Sequence, residues 1–296
     1  MGSYSPPPRS TRDEGTGFEP ELLPPGTGFM SPPPPPVRKP RPSWAVAPAT
    51  YLLVGINCAV FIAMVANHVS FWNPSPDVLL HHWGANDAGY VLINGEWWRI
   101  VTAMFVHVGF VHLALNMWCL WNLGLLAEPV MGSAGVLAVY ILTGAAGNLL
   151  STCVNWFSYQ QYWMKFHDPG IFPAGVGASG AVFGIAGALI VLLKSHRLPV
   201  PPVELKKLRR SVIYFAALNL VLGMSISIGN AVAHSGLNID NMAHLGGCTC
   251  GLLFAAPMVP RIGSPRRLFE TRLRIAVGMV VGLLVLFGFY LAQLAG

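Results

Sequence analysis

Charge is what this chain has least of. Only 10% of its 296 residues are Asp, Glu, Lys or Arg, against 53% hydrophobic residues. Soluble domains carry about 25% charged residues, so a soluble globular protein is excluded. Acidic side chains are scarcer still, 12 against 18 basic ones, for a net charge of +6. Cysteine is also sparse: Cys58, Cys119, Cys153, Cys248 and Cys250 all fall in or at the ends of apolar segments. No pair has zinc-ligand spacing with a second pair to complete it, so neither a disulfide framework nor a metal site is indicated, and Cys248 and Cys250 read as small packing residues on a helix. The chain does not open on the charged-then-apolar pattern of a secretory signal. Its first stretch, residues 1–43, is polar and Pro-rich with five consecutive prolines from Pro32 to Pro36, which favours extended polyproline II over helix. It reads as a disordered cytoplasmic arm.

What the chain has in plenty is long apolar runs. Seven spans are expected, at about 47–68, 112–129, 134–156, 178–194, 211–229, 240–259 and 273–294, each approaching the roughly 20 residues that cross a hydrocarbon core. Bends at Glu128-Pro129 and Met131-Gly132-Ser133 join the second and third as a hairpin. The expected fold class is all-α, a polytopic membrane helical bundle. Sixteen of the 18 basic residues then fall on one side: those before the first span, between the fourth and fifth, and between the sixth and seventh. Arg99 and Lys165 fall on the other. Basic residues placed this way set membrane orientation rather than nucleic-acid binding, with the N-terminus cytoplasmic and the C-terminus outside. The long loop 69–111 is then extracytoplasmic, and its Phe71, Trp72, Trp83, Tyr90, Trp97 and Trp98 suit the headgroup interface.

Polar groups inside a bilayer are costly and often functional, so their depth is informative. At roughly 1.5 Å per residue, Ser179 lies about 22 Å above Lys194, His244 about 25 Å above Arg261, and His112 about 24 Å above Glu128 with Asn116 a turn deeper. All four sit near one level toward the outer leaflet. Gly180-x-x-x-Gly184 and Gly247-x-x-x-Gly251 form small-residue ridges that let helix backbones approach. Close approach is what a Ser–His hydrogen bond of about 2.6–3.2 Å requires. His112 and Asn116, four apart on one face, can both donate to a developing oxyanion, together with the backbone N–H of Ser179. Each feature also has a plain packing explanation; their agreement in depth favours chemistry. His107 is a further structural or oxyanion-side candidate.

These residues resemble the rhomboid intramembrane serine proteases, over roughly residues 44–260. The motifs appear in order: Glu96-Trp97-Trp98-Arg99, His112-x-x-x-Asn116, Gly177-Ala178-Ser179-Gly180, and Ala243-His244-Leu245-Gly246-Gly247. Glu128 falls where that family keeps a structural carboxylate. The extra span makes the chain similar to the six-plus-one subclass, a rhomboid core at 44–260 followed by a basic linker and seventh span at 261–296. The resemblance implies an intramembrane endopeptidase with Ser179 as nucleophile, His244 as general base and no third acid member. His112 and Asn116 would stabilise the oxyanion, and Gly177, Gly180, Phe183 and Gly247 would support the site. Trp98 and Arg99 would anchor the first loop at the interface. Phe183 stands where many relatives place a Tyr against the catalytic His, so tuned activity is expected.

No cofactor is implied. The expected partners are transmembrane protein substrates and the lipid bilayer, with no nucleic acid, and nothing in the chain specifies an oligomeric state. The expected location is a bacterial plasma membrane, with cleavage near its extracytoplasmic face. A cap over the site is expected in the loop between the fifth and sixth spans, from Gly229, Ser235 and Gly236. Three rivals stand beside this reading. One is a catalytically silent rhomboid-like binder of membrane clients, which typically lacks the Ser or the His. Another is a transporter, which would favour paired intramembrane charges or repeats. The last is haem or metal binding by His107, His112 and His244, which lacks a carboxylate or thiolate to complete a ligand set. The charge map makes its own prediction: a topology reporter fused after Gly296 is accessible from outside the cytoplasm, and a cytoplasmic signal would overturn the span count.

Overall fold

The computed structural model describes residues 47–166, 174–194, 201–233, 240–258 and 265–295. The Pro-rich arm expected at 1–43 lies outside them, as do Ser235 and Gly236 of the expected cap. The described residues form a helical bundle: α1 (Pro48–Ala66), the short α2 (Pro76–Trp83), α3 (Ala88–Leu92) and α4 (Arg99–Thr102), a 3-10 turn at Ala103–Phe105, then α5 (Phe110–Phe166), α6 (Ser179–Leu192), α7 (Pro202–Ala233), α8 (Asn241–Ala255) and α9 (Arg266–Ala295). The one strand-like feature among them is an isolated antiparallel bridge between Asn86 and Gly175.

Helix α5 is two helices separated by a break at Gly132, whose φ of 70° and ψ of 166° no helical residue adopts. This is the hairpin expected between the second and third spans. The bend falls at Gly132, and Pro129 stays inside the helix. Counting its two arms, α1, α5, α6, α7, α8 and α9 place a helix at each of the seven expected spans. Three stretches, Pro48–Ala66, Phe110–Ser158 and Arg266–Ala295, are long and apolar enough to cross a membrane, and the second of these holds both arms. Helix α7 runs to Ala233, so Gly229 is helical and not part of a loop cap as expected. The expected aromatic loop at 69–111 carries α2, α3, α4 and the 3-10 turn, so it is largely structured.

The centre of the bundle is α6. Its 14 residues extend only about 21 Å, well short of a hydrocarbon core of roughly 30 Å. Gly180 through Leu189 are all buried, enclosed by α5, α7 and α8. A short central helix whose far end reaches one membrane surface must begin below the other. Ser179 is the first residue of this short, enclosed helix.

Glu128 holds the first arm of α5 to α1. The N-cap of α1, Ala47, has no side chain that can accept a hydrogen bond, so the first N–H groups of that helix need an acceptor from elsewhere. Glu128 supplies it. One carboxylate oxygen accepts the Ala49 N–H at 2.8 Å and the Ser133 hydroxyl at 2.6 Å, while the other accepts the Thr50 N–H at 2.9 Å and the Thr50 hydroxyl at 2.7 Å. An anion also suits the positive end of the helix dipole. Gly124, one turn before Glu128, faces Thr50 so closely that a Cβ there would collide with its side chain. Replacing Glu128 with Ala strands two buried N–H donors, and is expected to lower stability by about 2–4 kcal/mol, read as a reduced midpoint of thermal unfolding in detergent.

Candidate active site

The nucleophile candidate lies at the end of a loop fastened on two sides. Gly175 pairs with Asn86 through both backbone hydrogen bonds, each 2.8 Å, and the Gly177 N–H donates to Ala103 at 2.9 Å. Side chains of the second arm of α5 brace the bridge. The Asn86 amide donates to the Asn148 carbonyl at 3.2 Å, the Thr152 hydroxyl donates to the Asn86 side-chain oxygen at 3.1 Å, and the Asn148 amide donates to Ile100 at 2.8 Å. The first extramembrane loop thus presses directly on the segment that leads into Ser179.

Within that loop Arg99 is a staple. Its guanidinium donates to Glu96 at 2.7 Å and to the Leu80 and Ala85 carbonyls at 2.6 and 3.0 Å, and it lies 4.2 Å from the Tyr90 ring centroid. Arg99 is 3% exposed while Trp98 is 52% exposed. Trp98 is thus open to the surface, whereas Arg99 works inward, binding α2, α3 and α4 into one platform. Trp98 also packs on Gly84, where a Cβ would lie 2.5 Å from the indole.

Gly177 has a φ of +112°, a conformation that favours glycine. A Cβ there would lie 2.6 Å from Cε1 and 2.9 Å from Nε2 of His112, and 3.6 Å from Nδ2 of Asn116. The turn two residues before Ser179 therefore faces both oxyanion candidates. The Asn116 amide gives one of its two N–H bonds to the His112 carbonyl at 3.1 Å, which orients the group and leaves the second N–H. His107, fully buried, sits behind them. Its Nδ1 is 3.3 Å from the Phe105 carbonyl, and its Nε2 accepts the Ala178 N–H at 3.4 Å. Those two contacts require the tautomer protonated on Nδ1. His107 thereby occupies the Ala178 N–H and leaves the Ser179 N–H free of that bond. Its ring lies 5.2 Å from that of His112. The sequence ranked His107 as a secondary candidate, and the structure gives it the task of holding the loop.

On the other side stands α8. Asp240 caps it, accepting the Ala243 N–H at 2.9 Å, and takes the Ser151 hydroxyl at 2.5 Å. Its carboxylate is committed to the helix start and to α5. The signal for this role was present in sequence as an Asp just ahead of an apolar helix. The His244 ring stacks on Phe183 with centroids 4.4 Å apart and planes 10° from parallel. Gly180 faces the Ala243 carbonyl, 3.2 Å from where its Cβ would be. A Cβ on Gly247 would collide with the Gly180 carbonyl, and one on Gly251 with that of Gly184. The two ridges read from the sequence meet glycine to glycine, in register.

The geometry therefore brings the residue after Ser179 against the residue before His244, and His112 and Asn116 against the residue two before Ser179. Ser179 is half-buried and His244 is 7% exposed. Among the described residues no hydrogen bond joins Ser179 to His244, and the Nδ1 atoms of His112 and His244 have no partner. No group of three or more His, Cys, Asp or Glu side chains among them could hold a metal.

A profile of the Rhomboid domain matches residues 94–261. The chain is 30% identical over 232 residues to the rhomboid protease GluP of Bacillus subtilis, covering 78% of this chain but 39% of GluP. It is 28% identical to the rhomboid protease AarA of Providencia stuartii, covering 70% of each. It is also 30% identical to the putative rhomboid protease YdcA of the same Bacillus, covering 62% of this chain and 77% of that one. The chain belongs to the rhomboid family, a polytopic helical membrane protein of that fold.

The register of α6 and α8 is directly testable. A methyl at Gly247 must push the two backbones apart, so Gly247→Ala is expected to cost about 1–3 kcal/mol, the range for overpacking a tight interface. A lowered unfolding midpoint in detergent, with Gly278→Ala on the open face of α9 unchanged, is the expected result.

Proposed function

We propose that this chain is an intramembrane serine endopeptidase, cleaving transmembrane segments of membrane proteins near the extracytoplasmic face with a Ser179–His244 dyad. The observation that carries this reading is the placement of the Gly177–Gly180 segment between His112 and Asn116 on one side and the start of α8 on the other. A packing serine has no need of an imidazole and an amide converging on one flank and a second imidazole, ring-stacked, on the other.

The chemistry follows from those positions. Ser179 Oγ attacks the carbonyl carbon of the scissile bond while His244 Nε2 takes its proton. The oxyanion is met by the Ser179 N–H, His112 Nε2 and the remaining Asn116 N–H. His244 then protonates the departing amine, and a water, activated by the same imidazole, hydrolyses the acyl-enzyme. To act as base, His244 must start neutral with its proton on Nδ1. Phe183 fixes the ring plane, and its π-face favours the imidazolium formed at each proton transfer. It does so without the phenolic hydroxyl that many relatives supply.

In this reading Ser179 is recessed within the apolar layer, and water and substrate enter from the nearer, outer surface. A substrate helix has its peptide bonds shielded by its own hydrogen bonds, so it unwinds before attack. Segments with small or helix-breaking residues near their outer end are the favoured substrates. The recessed serine and the basic side of the bundle together support a cytoplasmic N-terminus and an extracytoplasmic C-terminus. In this reading the core spans 44–260, and 261–296 adds the basic linker and seventh helix.

Reconstituted wild-type protein is expected to cleave a single-span reporter, and Ser179→Ala and His244→Ala each to reduce the rate at least about a thousandfold. Retained cleavage in both variants overturns the assignment. No cleavage of several reporters by wild type, and no labelling of Ser179 by a fluorophosphonate, would instead mark a silent client-binding rhomboid.

A further inference from the structure

On the opposite surface of the bundle from Ser179, the end of α6 and the start of α7 enclose a cavity of about 460 Å³ lined by Lys194, Lys206, Arg209 and Arg210. Its floor is apolar, with Leu193 and Leu205 each 4% exposed. Lys206, Arg209 and Arg210 lie three and four residues apart, on one face of α7. That face is turned toward Lys194 at the end of α6. Lys207, on the neighbouring face, is different: it is paired with Glu204 at 3.0 Å. Among the described residues, none of the four cavity cations forms an ion pair. Four like charges converge there on a space that holds no carboxylate to offset them.

The position of the cavity narrows what could fill it. Lys194 follows the apolar stretch of α6, which ends at Leu192, and Arg210 immediately precedes the apolar stretch of α7. On both helices the cations therefore mark the boundary between hydrocarbon and headgroups. A ligand here has a phosphate beside guanidinium groups, which bind it in forked geometry, and a hydrocarbon tail against leucine. Basic pockets between membrane helices on this side hold anionic headgroups in other proteins. We propose that this cavity is a binding site for an anionic phospholipid of that leaflet, its phosphate held by Lys206, Arg209 and Arg210 from α7 and Lys194 from α6. A seated lipid would neutralise the repulsion and tie the exit of α6, the helix that begins with Ser179, to α7. The inference rests on the charge and shape of the cavity and stands whether or not the chain cleaves peptides.

The test uses the full chain in vesicles of equal parts phosphatidylcholine and phosphatidylglycerol, with retained lipid read by native mass spectrometry after detergent extraction. Wild type is expected to keep phosphatidylglycerol in preference to phosphatidylcholine. Lys206→Gln/Arg209→Gln/Arg210→Gln is expected to reduce that preference about a hundredfold, from about fivefold per cation. Lys194→Gln alone, on the facing helix, is expected to lower it severalfold. A control triple outside the cavity, Arg266→Gln/Arg267→Gln/Arg274→Gln, should leave it unchanged. Equal losses in the two triples would mean diffuse surface attraction and overturn the site. Unchanged preference in the cavity triple would overturn it as well, and so would displacement of the lipid by inorganic phosphate as readily as by phosphatidylglycerol.

Discussion

The approach of α6 to α8 at backbone distance is the constraint on which the rest of this structure depends. Hydrophobic driving force is weak between helices already surrounded by lipid, so association relies on close packing and on hydrogen bonds. Gly247 and Gly251 set α8 directly against the backbone of α6 at Gly180 and Gly184. A Cβ on Gly247 or Gly251 would collide with the backbone of α6, and one on Gly184 with Thr143 of α5. The same closeness sets Ala243 against Gly180, and lets Phe183 lie flat on His244.

Rigidity at this seam comes from polar ties placed at its ends. Ser151 and Thr152, adjacent on α5, serve different segments: Ser151 holds Asp240 at the start of α8, and Thr152 holds Asn86 against the loop leading to Ser179. One turn of α5 therefore indexes both segments of the site to a common frame. Arg99 and Glu128 repeat the device at the two surfaces. In each case a charged group that would be costly to bury alone is fully engaged by hydrogen bonds, so its burial stabilises the arrangement.

Much of this was legible in the residue pattern. Apolar run length and the scarcity of charge gave the helical bundle, because a bilayer admits little else. The distribution of lysine and arginine supported the span count, and helix rise alone put Ser179, His244, His112 and Asn116 at one depth. Of the two bends expected between the second and third spans, the one at Met131-Gly132-Ser133 forms, at Gly132, while Glu128-Pro129 stays helical. Pro129 stays within the last turn of the first arm, and the left-handed φ of 70° at Gly132 is one that favours glycine. Gly229 was expected in a mobile cap between the fifth and sixth spans, yet α7 continues past it. Arg99 resembled an interface anchor by its neighbours Trp97 and Trp98, and tertiary contacts turned it inward.

What the sequence by itself determined is the class of structure and the chemical inventory: membrane helices, a serine and a histidine at matched depth, and ridges of glycine. These follow from solvent and from helix geometry, which act locally and need no knowledge of partners. What only the tertiary structure decided is which groups are already spoken for. Asp240 is taken by a helix cap and Ser151, the Ala178 N–H by His107, and one Asn116 donor by its own helix, whereas Lys194, Lys206, Arg209 and Arg210 face one another unpaired. Hydrogen-bonding capacity is finite and is shared among residues far apart in the chain, so its allocation exists only once the helices have met.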